Sequence, residues 1–466
     1  MYNHFNFKKL EDKILITNDS GAHEFLSTEE FNTFITSPDL LEDSLKYSLV
    51  ENGFFIPDAI SDISEIVTNR MRAAKAHIFH PTSLFIIVVN ENCNCDCIYC
   101  QASSQMSNRR IRREMKSSII FQILDFILAS GIRDITIEFQ GGEPLISFEV
   151  IRDGILYLKE KASSRINLNC SVVTNLSLLT EEMAKFFKTH GVSISFSLDG
   201  SREVHEYNRR IGHPNRSFDA VENGIAILDR YGIQFGAIQT TSRFSLMHAK
   251  DIVDEYVAHG LNEIFLRPLT RLGAASSQWN LIGYSADEFI AFYQEAMGYI
   301  VQLNLKGTEI RETTAVILLS KMTGHCDVDY MDLRSPCGAC IGQMAFDPDG
   351  NIYSCDEGRM LSYMGDDSFR IGNVSSDTYE SVINSKLCQQ ICSASVMESN
   401  SICSSCVYLP FCGICPVYNL SVYGDMTTFS RQDYRCTIYK GIMDYLFKCI
   451  MADNEENEVF RKWVED

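Results

Sequence analysis

Basic residues are scarce in this chain of 466 residues: 41 Lys and Arg stand against 61 Asp and Glu, a net charge of −20 at pH 7. Binding to phosphate backbones or anionic membranes needs stripes of Lys and Arg, so the imbalance argues against a general nucleic-acid or membrane-surface binder. A small or peptidic partner stays open. Long apolar runs are missing as well. No stretch approaches the roughly 20 apolar residues that span a bilayer, so no transmembrane helix is predicted. The first residues, Met1-Tyr2-Asn3-His4-Phe5-Asn6-Phe7-Lys8-Lys9, lack the charged-then-apolar layout of a secretory signal. The cytoplasm is the default location.

Cysteine, by contrast, is abundant, with 17 in the chain. Disulfides are disfavoured in a reducing compartment, so clustered cysteines point to metal ligation. They cluster in two places, around 93–100 and across 337–436. The first is Cys93-Asn94-Cys95-Asp96-Cys97-Ile98-Tyr99-Cys100, a C-x3-C-x2-C pattern with an aromatic residue before its last cysteine. Three thiolates so close together can hold three irons of a [4Fe–4S] cube and leave the fourth open to a cofactor or substrate. The alternative is a zinc site with a distant fourth ligand. The run follows Leu84-Phe85-Ile86-Ile87-Val88-Val89, which has the character of a buried parallel strand.

Three regions are expected, at 1–80, 81–304 and 305–466. In the first, Lys13–Thr17 and His23–Leu26 flank the turn Asn18-Asp19-Ser20-Gly21 and predict a hairpin. Ser27 then caps a helix, with Glu30 completing a capping box. A further apolar-periodic segment runs from Leu40 to Leu49. This outline suits a small winged-helix-like module, serving peptide recognition or packing alone. In the second region, strands are predicted at 84–90, 134–140, 167–175, 192–198, 234–241 and 263–268. Helices are predicted at about 116–130, 148–162, 180–190, 217–231, 247–259 and 286–303. Six β-α repeats imply an α/β fold with a parallel sheet and right-handed crossovers, an incomplete (β/α)6 barrel. From 305 the chain breaks into short segments rich in Cys, Gly, Asp and Ser, a region expected to need metal crosslinks in place of a large core. The tail from Asp453 to Glu458 is predicted to be a solvated acidic end.

Directly after the second predicted strand comes Gln140-Gly141-Gly142-Glu143-Pro144. Two glycines allow close backbone approach to a ligand, and a carboxylate there could accept bonds from a ligand ammonium. By itself this is only a turn. One β-α unit after C-x3-C-x2-C, it resembles the motif of the radical S-adenosylmethionine (radical SAM) superfamily that meets the methionyl amino group. The resemblance implies a (β/α)6 partial barrel. It also implies cofactor-binding roles for Tyr99, Gln140, Gly141, Gly142, Glu143, Pro144, Asn175, Ser197, Asp199 and Leu266, with Cys93, Cys97 and Cys100 as ligands of the S-adenosylmethionine-binding cluster. Asn175, Ser197 and Asp199 would line the ribose or carboxylate, and the strand end at Leu266 would meet adenine. Each of the three polar residues has an alternative as a helix cap or turn residue. His205 and Arg209 match a recurrent stretch of the superfamily, without a defined role.

The later cysteines run Cys337, Cys340, Gly350-x4-Cys355, Cys403-x2-Cys406-x5-Cys412-x2-Cys415 and Cys436. This resembles the SPASM extension of radical SAM enzymes, which carries two auxiliary [4Fe–4S] clusters; the family spaces the last pair by three residues and this chain by two. The resemblance assigns Cys337, Cys340, Cys355 and Cys415 to the first auxiliary cluster and Cys403, Cys406, Cys412 and Cys436 to the second, three clusters in all. Cys95, Cys170, Cys326, Cys388, Cys392 and Cys449 are left over; Cys170 is expected in a strand, and Cys388 and Cys392, at i and i+4, could compete as ligands. Asp356 follows Cys355, where sulfatase-maturing relatives place the proposed substrate base, and Glu357 is beside it.

Longer stretches, among them Asp12–Gly21, Cys100-Gln101-Ala102-Ser103, Ile137–Leu145, Cys337–Gln343 and Cys355–Met360, resemble the B-type maturase of the His-Xaa-Ser peptide system. That resemblance implies a peptide-modifying oxidoreductase acting on a ribosomally made precursor peptide. A 5′-deoxyadenosyl radical would remove hydrogen from a peptide carbon in a net two-electron oxidation that forms a crosslink or similar product. A second radical SAM maturase and an electron donor such as flavodoxin or ferredoxin are the implied partners. The competing expectations are a sulfatase-type maturase that makes formylglycine and a non-catalytic iron–sulfur or peptide-binding scaffold.

Overall fold

The structure, a computed structural model, describes residues 2–56, 63–102, 113–324, 328, 330–428, 430, 432–452 and 454–465. Near its start, β1 (Asn6–Leu10), β2 (Lys13–Thr17) and β3 (His23–Ser27) form an antiparallel sheet in that order. The hairpin from β2 to β3 was legible in its turn, where the Asn18 side chain accepts from the Ser20 amide and Gly21 adopts φ +86°. The strand β1 is an addition that the sequence reading did not anticipate. Ser27 and Glu30 make the expected capping box at the start of helix Thr28–Thr36. Alternation along β2 then divides the sheet. Ile16 packs with Leu26, Phe34, Leu49 and Phe54 in a small separate core, while Leu15 joins the main core. The unit is tied to the far end of the chain: Thr17 Oγ1 donates to the Val407 carbonyl at 2.6 Å, Asn6 Nδ2 to the Ser404 and Cys406 carbonyls, and Lys8 pairs with Asp444.

The central strands are β4 (Leu84–Val88), the two-residue β5 (Asp96–Cys97), β6 (Asp134–Gln140), β7 (Asn167–Thr174), β8 (Val192–Ser197), the two-residue β9 (Arg209–Arg210), β10 (Phe235–Thr240), β11 (Glu263–Ile264), β12 (Leu266–Arg267) and β13 (Arg311–Glu312). Six of them, β4, β6, β7, β8, β10 and β12, run parallel, each beside its predecessor. Helices Ser117–Ala129, Phe148–Lys161, Glu181–His190, Ser217–Tyr231 and Ala249–Ala258 occupy the crossovers. Within the described strands β12 does not pair with β4, so the barrel stays open. The predicted strand at 263–268 is split. Glu263 and Ile264 pair with β13, and only Leu266 and Arg267 reach the main sheet. Glu312, fully buried, explains the split: it accepts from the Leu266 amide, the Tyr293 hydroxyl and the Ala315 amide, so a carboxylate takes the donor at the break.

The last region does not rely on metal crosslinks alone. Its strands β14 (Gln343–Phe346), β15 (Asn351–Tyr353) and β16 (Arg370–Asn373) extend the barrel sheet, with β14 parallel to β4 in the register Gln343↔Leu84 to Phe346↔Ile87. Ile86, Val88, Ala345 and Tyr353 pack together across this seam. A segment too short for its own core thus borrows one. The acidic tail also differs from expectation. Asp453 lies outside the described residues, but Glu455–Glu465 is a helix that buries Val459, Phe460 and Trp463, and Trp463 Nε1 reaches Asn304. Its carboxylates sit in the first turn, where the helix dipole favours them. No helix among the described residues is long and apolar enough to cross a membrane.

Candidate functional site

The C-terminal ends of the parallel strands open into a cavity with about 960 Å³ of empty space, counted to its mouth. Cys93, Cys97 and Cys100 lie on its wall with Tyr99, Gln140, Gly141, Gly142, Asn175 and Ser197. Strand β5 pairs antiparallel with β9, Cys97 opposite Arg209, and the Ile98 amide donates to the Asn208 carbonyl at 3.0 Å. The far end of the loop is held by the Ala274 amide on the Cys100 carbonyl at 2.9 Å. Gly273 beside it has φ +58°, and a Cβ there would lie 2.5 Å from the Cys100 carbonyl oxygen. Only glycine permits that contact.

The Gly-Gly-Glu-Pro turn serves the cysteine loop more directly than expected. A Cβ on Gly142 would approach the Asn92 carbonyl oxygen to 2.2 Å. The Gly142 and Glu143 amides donate to the Asn90 and Asn92 carbonyls at 2.9 and 2.7 Å. The glycines therefore let two backbones lie in contact while also facing the cavity. Glu143 is 1% exposed and stands behind the wall: its carboxylate accepts from Thr174 Oγ1 at 2.6 Å, the Asn175 amide at 2.8 Å and the Leu145 amide at 3.0 Å. Burial raises its pKa while those three bonds oppose the rise. Pro144 and Leu266 are buried as well and do not line the cavity, although Arg267 and Pro268 next to Leu266 do.

Asp199 is likewise behind the wall, fully buried, and bound to Tyr99 Oη, to Arg209 Nε and Nη2 at 3.1 and 3.3 Å, and to the Thr240 amide at 3.3 Å. Arg209 also lies 5.3 Å from the Tyr99 ring centroid and 3.7 Å from Cys97 Sγ. Asp199 thus anchors the arginine that faces Cys97. His205 is an interior histidine. Its Nδ1 accepts from the Asp199 amide, and burial lowers its pKa to about 4. Asn175 Nδ2 reaches Asn94 at 3.0 Å and Cys93 Sγ at 3.9 Å.

Thiol chemistry suits a multi-iron group. Burial pushes Cys93 up to about 12, since the surroundings offer little positive charge to hold a thiolate. Cys97 is the exception: hydrogen bonding with Cys95, whose Sγ is 3.5 Å away, lowers its pKa despite burial. Iron would supply the missing charge. Among the described residues no group of three or more His, Cys, Asp or Glu converges as a single metal ion requires.

The later cysteines follow the same pattern. Cys403, Cys406, Cys412 and Cys436 line one cavity with about 580 Å³ of empty space counted to its mouth, and Cys415 lines it too. Burial drives Cys403 and Cys412 up to about 12. Cys337 and Cys355 each lie within electrostatic reach of Cys415, and Cys340 within reach of both. Cys355 and Cys415 sit at helix N-termini, where each sulfur accepts the amide three residues on, from Gly358 at 3.3 Å and Tyr418 at 3.4 Å. Such a position favours a thiolate, but burial outweighs it and pushes both thiols up, Cys415 to about 11. Cys340 is held at φ +68°, a conformation costing a β-carbon residue about 1–2 kcal/mol. Cys388 is buried and hydrogen-bonded to Cys340 and Cys392, so this pair adjoins the first set instead of standing apart in the core. Cys170 is in β7, half-buried, and Cys326 lies outside the described residues.

Helix Asp356–Tyr363 brings the two regions together, because Arg359 and Met360 line the same cavity as the first three thiols. Asp356 Oδ1 is paired with Arg359. Burial and the nearby charges of Asp332 and Asp356 push Glu357 up to about 7. Arg267, Arg359, Met360 and Thr240 are wall residues that motif spacing had not singled out. Arg267 and Arg359 sit beside residues that it had.

Residues 87–254 match the Radical SAM superfamily, and residues 337–407 match the SPASM iron–sulfur cluster-binding domain. A cysteine-type anaerobic sulfatase-maturating enzyme from Clostridium novyi is 25% identical over 337 residues, covering 71% of this chain and 86% of its own. The structure of native anSMEcpe with bound AdoMet matches with a TM-score of 0.68 at 19% identity, over 80% of this chain and 99% of that one. Streptococcus suis SuiB bound to precursor peptide SuiA matches with a TM-score of 0.56 at 14% identity, over 93% and 98%.

Proposed function

We propose that this enzyme, which carries a radical SAM domain and a SPASM domain and so uses S-adenosylmethionine and [4Fe–4S] clusters, modifies a ribosomally made precursor peptide by a net two-electron oxidation. The observation that carries the reading is the shared cavity: thiols of the first cysteine loop and the helix after Cys355 face one space. A substrate carbon held there meets the cofactor on one side and the auxiliary region on the other.

Cys93, Cys97 and Cys100 would hold the first cluster, with Cys337, Cys340, Cys355 and Cys415 holding a second and Cys403, Cys406, Cys412 and Cys436 a third. When bound, the first cluster and S-adenosylmethionine would supply the one-electron chemistry needed to remove a hydrogen atom from the substrate. The protein supplies the rest. Gly141, Gly142, Asn175 and Ser197 line the cavity and would hold the cofactor. Glu143 fixes Asn175 from behind, and Asp199 fixes Arg209. Asp356 and Glu357, next to Cys355, stand behind the wall that Arg359 and Met360 form, so either would take up the proton by relay as an electron leaves the substrate.

The N-terminal sheet supports a leader-binding role. Strand β3 lies at its edge, beside a groove lined by His23, Phe25, Phe460 and Val464. An added strand could pair there through backbone bonds. The B-type His-Xaa-Ser maturases remain the subfamily that the longer sequence stretches favour, with a second maturase and a flavodoxin or ferredoxin as partners. A sulfatase-type reaction is the second reading, favoured by the Clostridium novyi relative and by Asp356. Mass spectrometry of a co-expressed precursor peptide decides between them. A two-hydrogen loss in the precursor supports the first reading, and conversion of a sulfatase-derived Cys or Ser peptide to formylglycine with no change in the precursor replaces it. Slowed amide exchange in β3 when the leader is added tests the docking edge; unchanged exchange assigns the module to packing.

A further inference from the structure

Cys436 and Lys440 stand four residues apart in helix Tyr434–Ala452, on one face of it, and both line the cavity that Cys403, Cys406 and Cys412 share. Lys440 is half-buried, and the carboxylates nearest it in sequence are engaged elsewhere. Asp444, one turn on, is held by Lys8 at 2.7 Å and by the Tyr408 hydroxyl. Asp433, the one carboxylate on the cavity wall among the described residues, caps the helix: Oδ1 accepts the Cys436 amide at 2.9 Å and Oδ2 the Tyr423 hydroxyl at 2.7 Å. Burial works against the Lys440 charge, and the groups that favour it are Cys436, Cys406 and Cys412. Burial likewise raises the Cys436 thiol, and Lys440 is the next influence on it, ahead of Asp433. The other cation on this wall, Arg435, has a counter-charge. Its Nη2 lies 3.5 Å from Asp332 Oδ2, and the two act with opposite sign on Cys337 and Cys415, where Glu357 adds a second carboxylate at Cys415. Arg435 also reaches Cys412, with the same sign as Lys440. The set of Cys337, Cys340, Cys355 and Cys415 is thus flanked by charges of both signs. The set of Cys403, Cys406, Cys412 and Cys436 has a cation whose main partners are its own thiols.

An iron–sulfur cluster held by four thiolates is an anion, and reduction adds one more negative charge. A fixed cation in a partly buried site therefore stabilises the reduced form more than the oxidised form, and raises the potential. We infer that Lys440 sets the potential of the group held by Cys403, Cys406, Cys412 and Cys436 above that of the other auxiliary group, so that an electron taken from the substrate comes to rest there. The inference rests on the ligand sets and the oxidative reading proposed above, and gives that reading a direction. The hydrogen atom removed from the substrate takes one electron with it. The substrate radical then releases a proton and a second electron. That electron reduces this group by one, until an external acceptor such as flavodoxin or ferredoxin removes it. Lys440 touches neither substrate nor S-adenosylmethionine in this account; it is a positioning residue that acts through the potential of the cluster.

The test uses the full chain with Cys93, Cys97 and Cys100 replaced by Ala, reconstituted without oxygen, so that only the two auxiliary groups report. Iron should be about 8 per chain, and a mediated redox titration followed by EPR should resolve two midpoints. Lys440→Gln should move the higher midpoint to lower potential by at least a tenfold change in the one-electron equilibrium, about 59 mV, and leave the lower one in place. Lys440→Arg should keep both. A Gln variant that retains its iron and both midpoints overturns the inference. So does a shift of the lower midpoint, an Arg variant that shifts as far as Gln, or two midpoints that coincide before any change at Lys440. If Lys440→Gln loses iron, Lys440→Met is the second neutral variant and should show the shift. Loss of iron from both neutral variants gives Lys440 a part in holding the group and overturns a role in its potential. Iron near about 4 in the parent protein overturns the ligand sets themselves, and the inference with them, while the peptide-modifying reading is judged separately by the precursor mass.

Discussion

Replacing Asp199 by Asn should weaken the first cysteine loop before it weakens the rest of the molecule. Asp199 is fully buried and carries the only negative charge in contact with Arg209 among the described residues, while Arg209 is itself 8% exposed. Removing one partner of a buried pair leaves an uncompensated charge and costs about 3–5 kcal/mol. Asn keeps the shape and can still accept from the Thr240 amide, so the loss should fall at the low end of that range. Against a total stability of about 5–15 kcal/mol this is large but survivable. The strain is local, because Arg209 is the β9 residue paired with Cys97 in β5. Iron should therefore drop from about 12 to about 8 per chain, the difference being one [4Fe–4S] group. The denaturation midpoint should fall, and 5′-deoxyadenosine formation should fall with the lost iron. An Asn variant that keeps about 12 irons and an unchanged midpoint would refute the positioning role given to Asp199.

Three further outcomes are expected. Cys93, Cys97 and Cys100 replaced together by Ala should abolish S-adenosylmethionine cleavage and leave about 8 irons per chain; cleavage at the wild-type rate removes the triad from its role. His205 is held near 4 in the fold against an ordinary 6.5, so it binds a proton more readily when unfolded. Its contribution to stability is intact above pH 6.5, declines as pH falls from 6.5 towards 4, and amounts at most to about 3 kcal/mol; denaturant titrations across that window should lose this slope in His205→Gln, and an unchanged slope assigns it to other groups. Asp356→Asn should reduce modified peptide more than 5′-deoxyadenosine, both normalised to iron; equal reduction makes Asp356 structural, and full activity passes the proton-accepting role to Glu357.

The local chemistry of this chain was written in its sequence. The capping box Ser27–Glu30, the turn at Asn18–Gly21, and the β-α periodicity from Leu84 to Leu305 depend on contacts a few residues long, and such contacts leave a pattern in spacing. The cysteine loop was equally legible, because Cys93, Cys97 and Cys100 fall within eight residues and line one cavity. Tertiary structure decided what those patterns face. The Gly141–Gly142 pair looks like a ligand-approach motif, yet its tightest contact is with the backbone of Asn92. Glu143 and Asp199 look like ligand-facing carboxylates, yet each turns inward to hold a neighbour, Asn175 in one case and Arg209 in the other. A strand end cannot reveal this by composition, since an acidic residue there suits either direction. The attachment of β14 to β4 joins residues about 260 positions apart through backbone pairing alone, and no local periodicity marks such a partner. Arg359, three residues after Asp356, had no role of its own in the sequence until folding set it in the same cavity as Cys93. Sequence spacing determined which groups could bind iron; only the packing of distant elements determined which charges surround the space between them.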